Sequence, residues 1–167
     1  MSALDSFTPN FSDKALDVVE QTLLGCDWAC ERSEEGVIHC ASMTKWGEFG
    51  GMFVWREQPA SLNFSLTLDL RAPNAKHSAI SELLRKINER LWLGHFDYWN
   101  EEALPVLRHT ITMLDRIAPG PGEIAAVLTA ALDAADQFLP AFNFVVWAGK
   151  SAEEAVSAVV FETAGEA

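Results

Sequence analysis

The most regular pattern in the chain is a strict alternation. Leu62, Phe64, Leu66, Leu68 and Leu70 are apolar, and Asn63, Ser65, Thr67 and Asp69 between them are polar. Successive side chains of a strand point to opposite faces, so this run predicts one buried face and one wet face. Shorter strands precede it. Trp28, Cys30 and Arg32 alternate with Ala29 and Glu31, and Ser33-Glu34-Glu35-Gly36 turns the chain back. Val37 to roughly Trp46 and Gly50 to Arg56 read as the second and third strands, broken at Gly47, and Gln58-Pro59 makes the turn into the fourth. Four strands joined by short turns predict an antiparallel meander.

Elsewhere the apolar period is helical. Ala15, Leu16, Val19 and Leu23 follow Ser12, a candidate cap, and stop at Gly25. Pro73-Asn74 opens a second helix with the stripe Ile80, Leu83, Leu84, Ile87 and Leu91, and Gly94 is its expected left-handed stop. His95 to Trp99 and Leu104 to Leu114 then predict a hairpin around Asn100-Glu101-Glu102. Pro119-Gly120-Pro121-Gly122 reads as a connector into a third helix bearing Ile124, Val127, Leu128, Ala131, Ala135 and Phe138. Pro140 is expected to interrupt that helix, with Phe142 to Ala148 continuing at an angle. Ser151 and Glu154 have capping-box spacing for a short last helix. Strands come in runs rather than alternating with helices. The expected fold is therefore α+β: a single two-layer domain over residues 1–167, its antiparallel sheet covered on one face by helices.

Composition agrees with a self-sufficient core: 49% of the 167 residues are hydrophobic. The formal charge of −12 argues against nucleic acid and anionic membrane as partners, because both are polyanions. The charge is uneven: the ends are acidic, while residues 61–110 balance at six acids and six bases. Cys26, Cys30 and Cys40 lack CxxC spacing and read as free thiols. The first residues, Met1-Ser2-Ala3-Leu4-Asp5, show no basic or long apolar leader, so a cytoplasmic protein is expected.

Motifs for standard chemistry are incomplete. Gly149-Lys150-Ser151 resembles the end of a phosphate loop, but Phe144 stands where that loop needs glycine. Gly47, Gly50 and Gly51 fail dinucleotide spacing. His39 and Cys40, adjacent on a strand, point to opposite faces and cannot act as a pair. Cys26 and Cys30 with a distant histidine are a weak zinc candidate. His95 and Asp97 share a strand face, and the returning strand could set Arg108 or His109 opposite them. A His-Asp-His group would support metal binding or base catalysis; an Asp97–Arg108 pair would be structural. Register decides which, and sequence leaves it open.

Most of the six tryptophans should be core or sheet-packing residues. Trp92 falls off the Ile80–Leu91 stripe; packing under the following strand is the expectation, and exposure would make it an interface anchor. Lys76, Arg85, Lys86 and Arg90 make the second helix basic within an acidic protein. Glu82–Lys86 pairing and the helix dipole account for them locally; docking to an acidic surface, including a second copy of the chain, is the alternative.

The run Ile87-Asn88-Glu89-Arg90-Leu91-Trp92-Leu93-Gly94-His95-Phe96-Asp97, with Arg108 following, resembles the central signature of the YbjN family. Pro140-Ala141-Phe142, the segment Gly149 to Ala155 and the ending Glu162 to Ala167 are similar to that family's C-terminal segments. The resemblance implies a bacterial sensory-transduction regulator with a fold similar to type III secretion chaperones, which are acidic dimers that hold an extended segment of a partner protein. It carries over no catalytic residue. Structurally, Gly94 would end the helix, Trp92 and Phe96 would pack the junction, and Asn88 and His95 would satisfy buried polar groups. The expectation is a non-enzymatic, cofactor-free, chaperone-like regulator that binds a protein and forms a homodimer. Its candidate interaction residues are Arg85, Lys86, Asn88, Arg90, Trp92, His95, Asp97, Trp99 and Arg108. The rival is a metal- or small-ligand-dependent activity around His95 and Asp97, or a ligand sensor with a deep apolar pocket beneath the sheet.

Overall fold

The computed structural model describes residues 11–33 and 35–165. The reading of the N-terminal residues 1–5, and of Glu34 in the first turn, lies outside them. Helix α1 (Phe11–Gly25) is followed by β1 (Ala29–Arg32), β2 (Val37–Thr44), β3 (Gly47–Glu57) and β4 (Ala60–Thr67). A 3-10 turn at Asn74–Lys76 leads into α2 (His77–Asn88), then β5 (His95–Trp99) and β6 (Leu104–Thr112). Helices α3 (Pro121–Val146) and α4 (Ala152–Gly165) complete the order. The sheet is antiparallel throughout, in the order β1-β2-β3-β4-β6-β5. The meander is as expected. The hairpin joins it through its second strand, which leaves β5 at the edge.

Register explains the two layers. Ile38, Phe53, Phe64 and His109 lie in one cross-sheet row, and Leu62 and Ile111 in the next. Their face carries the core, where Phe53 and Phe64 rings stack 4.6 Å apart. The intervening positions, such as His39, Met52, Ser65 and Arg108, form the opposite face, which no helix covers among the described residues. Leu68 and Leu70 stay buried although β4 ends at Thr67, because Leu68 N–H donates to Pro105 O at 3.0 Å and keeps the segment beside β6.

Helix ends differ from the sequence reading. Helix α1 begins at Phe11, so Ser12 lies in its first turn and not before it. Helix α3 starts at Pro121, inside the supposed connector, where proline's missing N–H costs nothing. It also runs through Pro140 without interruption. Pro140 cannot donate to the carbonyl of Asp136 four residues earlier. The Trp46 indole N–H, from the β2–β3 turn, donates to that carbonyl instead at 3.3 Å. A tertiary contact thus offsets the broken rung of the helix. Both capping-box bonds form at α4: Glu154 N–H to Ser151 Oγ at 3.1 Å and Ser151 N–H to Glu154 Oε2 at 2.9 Å.

Among the described residues, α3 alone is long and apolar enough to cross a bilayer. Half of its most apolar stretch is buried within the fold, as a core helix requires.

Candidate interaction surface at the α2–β5 junction

Helix α2 stops at Asn88, well before Gly94. Arg90 N–H donates to Ile87 O and Leu91 N–H to Asn88 O, so the chain leaves in a tight turn. The cause is the Asn88 side chain, which is committed to the next strand. Its Oδ1 accepts the Phe96 N–H at 2.8 Å and its Nδ2 donates to Phe96 O at 3.0 Å. Phe96 is buried and packs edge-on against Phe142 of α3. Gly94 takes the left-handed conformation (φ +69°), but as the residue that turns the chain into β5. A side chain there would meet Arg108 O at 2.9 Å.

Trp92 rides on this turn and is 80% exposed. It does not tuck under β5. Once the helix ends at Asn88, its position relative to the helical stripe no longer matters, and Leu91 and Leu93 supply the turn's contacts with the core. Trp46 and Trp147 are also exposed, so the expectation that most tryptophans are core or sheet-packing residues holds for Trp28 and, in part, for Trp55 and Trp99, both half-buried on the sheet.

The register pairs His95 with Arg108 and Asp97 with Val106. Asp97 reaches Arg108 diagonally, accepting its Nη1–H at 3.0 Å, while its other oxygen accepts the Tyr98 N–H at 2.8 Å. The Tyr98 amide first, then Arg108, hold the Asp97 carboxyl below the usual carboxylate range. His109 is one residue out of register and faces the helix side with Phe64, where burial pushes its pKa down. The His-Asp-His grouping is therefore split between two faces. His95 is exposed and, among the described residues, satisfies no buried polar group, contrary to expectation. Among the described residues, no cluster of three or more His, Cys, Asp or Glu side chains could hold a metal.

These bonds bear on the edge of β5. Phe96 and Tyr98 point their backbone groups away from β6. Asn88 takes both of Phe96's, and Asp97 takes the Tyr98 N–H. A sheet edge presents open donors and acceptors to any passing strand, and here side chains already occupy three of them. What remains for recognition is side-chain surface. Trp92 stands at one end of β5. At the other, Trp99 borders a shallow groove of about 300 Å³ on the bare sheet face, with Met52, Val54, Ser65 and Arg108.

Arg85 and Lys86 of α2, and Arg90 in the turn after it, are engaged locally. Arg85 pairs with Glu82 at 2.8 Å and Glu89 at 2.6 Å, while Lys86 reaches Glu82 only at 4.0 Å. Arg90 donates to the Lys86 carbonyl at 3.1 Å. The pairing read from sequence as Glu82–Lys86 is thus chiefly Glu82–Arg85. A groove of about 690 Å³ lies at the surface beside Trp46 and α3, away from this junction.

A family model described as "Putative bacterial sensory transduction regulator" matches residues 15–144. The chain belongs to the YbjN family. The match contains the whole Asn88–Arg108 junction, whereas the likeness at Gly149 to Ala155 falls outside it. The crystal structure of YbjN from E. coli is similar at TM-score 0.52 and 12% identity, over 72% of this chain and 84% of that one, a likeness of fold alone. A chain from the crystal structure of the ExsC–ExsE complex overlaps at TM-score 0.48 and 13% identity, over 72% of this chain and 86% of that one. No curated protein matches.

Proposed function

We propose that the protein is a non-enzymatic regulator that binds another protein, or a second copy of itself, through the α2–β5 junction with Trp92 as anchor. The supporting observation is a large indole held in water on a turn that Asn88, Gly94, Leu91 and Leu93 make rigid. Tryptophan combines extensive apolar area with few rotatable bonds, which makes it a strong interface anchor. The neighbouring edge is filled by Asn88 and Asp97, so the partner is read by side-chain packing rather than by an added strand. The family's regulatory description accords with such a role.

The test compares wild type with Trp92→Ser, by solution mass and by co-purification at low and high salt. Wild type is expected to hold a defined partner or dimerise, and Trp92→Ser to release it while melting at the same temperature. Identical mass and identical bound proteins in both would refute the assignment.

A further inference from the structure

Cys30 and Cys40 stand directly opposite each other on β1 and β2. Their relation follows from the ladder. Ser33 N–H donates to Val37 O at 2.8 Å, which makes Ser33 and Val37 a hydrogen-bonded pair. Such pairs alternate along an antiparallel ladder, so Arg32–Ile38 is non-bonded, Glu31–His39 bonded and Cys30–Cys40 non-bonded. Non-bonded partners have Cα atoms about 4.5 Å apart and the closer side chains, within the roughly 4.4–6.8 Å that a disulfide spans. Both cysteines point to the helix-covered face. Cys40 is buried there, and Cys30 is half-buried against the same core. Both are free thiols. Burial pushes the Cys40 thiol up to about 12, with Cys30 the second contributor, while burial and then Glu20 raise Cys30. The β3 residue opposite Cys40 is Gly51, and Cys40 Sγ leans toward it, 3.5 Å from where a Cβ would sit. Closure therefore requires a change of the Cys40 χ1 rotamer, away from β3 and toward Cys30.

We propose that Cys30 and Cys40 are a redox modification site that closes into a reversible cross-strand disulfide. The co-reactant is a low-molecular-weight disulfide. The Cys30 thiolate, the more accessible of the two, attacks one sulfur of the small disulfide and expels the other half as thiolate. Deprotonated Cys40 then attacks the Cys30 sulfur of the mixed disulfide and expels the second half. Two protein thiols are oxidised, one small disulfide is reduced to two thiols, and the two protein protons end on the leaving thiolates. The bridge staples the edge strand β1, whose Arg32 binds Asp13 and Asp17 of α1, to its neighbour. Cys26 is exposed in the turn after α1 and takes no part.

The experiment treats the full folded chain with oxidised glutathione, alkylates the remaining thiols and maps peptides by mass. Wild type is expected to keep one alkylatable thiol of three, Cys26, with a Cys30–Cys40 peptide lighter by two hydrogens and a melting point higher by about 5–10 °C. Cys26→Ser should form the same bridge, and Cys30→Ser should not. Three alkylatable thiols after treatment, a stable glutathione adduct without closure, or a bridge to Cys26 would each overturn the proposal.

Discussion

Replacing Gly94 by alanine tests whether the α2–β5 junction is held as described, and Gly149→Ala is a matched control. Both glycines have left-handed backbones, with φ of +69° and +66°. An alanine at either position carries the same conformational strain, about 1 kcal/mol after the unfolded chain loses some freedom. Their surroundings differ. At Gly149 an added Cβ meets nothing within 4 Å, whereas at Gly94 it lies 2.9 Å from Arg108 O and 3.4 Å from Leu107 Cδ2. Arg108 is paired with both β5 and β4, so its carbonyl cannot retreat without disturbing two ladders. Overpacking of this kind costs about 1–3 kcal/mol. Gly94→Ala should therefore lose about 2–4 kcal/mol and Gly149→Ala about 1 kcal/mol. Urea unfolding at equilibrium measures both, with an unchanged slope showing that the unfolded states are comparable. Losses equal to within about 0.5 kcal/mol would show that the close approach at Gly94 has no energetic weight.

Two further predictions follow from other elements. Pro140→Ala restores an N–H to the Asp136 carbonyl and removes the ring from α3; because Trp46 already satisfies that carbonyl, the gain should be about 1–2 kcal/mol, below the roughly 3 kcal/mol of an uncompensated interior proline. Unfolding free energies of Pro140→Ala in the wild-type and Trp46→Phe backgrounds measure it, with the larger gain expected in Trp46→Phe; the same gain in both backgrounds would contradict the compensation. His109 has a folded pKa lowered by burial, so the unfolded chain binds its proton first. That group's stabilising effect is present above about pH 6.5 and falls away as pH drops toward the folded value. His109→Gln should flatten the stability profile between about pH 7 and pH 5; an unchanged slope there would assign the acid sensitivity to other groups.

The elements themselves were legible in the chain. Period-2 alternation at Leu62–Leu70 and period-3.6 stripes at Ile80–Ile87 and Ile124–Phe138 arise because a buried face must recur at the pitch of its own backbone. The capping box at Ser151 was legible for the same local reason: its two bonds join residues three apart. The end of α2 was not, because Asn88 trades the next helical turn for Phe96, a partner whose position depends on where β5 lies. Trp92 was misjudged with it.

Residue order along the chain thus settled which stretches become helices and strands and which side of each is apolar, since those depend on neighbours a few positions away. Contacts between distant segments settled the rest. They placed β6 rather than β5 against β4, divided His95 and Asp97 from His109, brought Trp46 to the carbonyl that Pro140 leaves open, and set Cys30 across from Cys40. Each depends on register, and a shift of one residue turns every side chain of a strand to the other face, which only the packed core penalises.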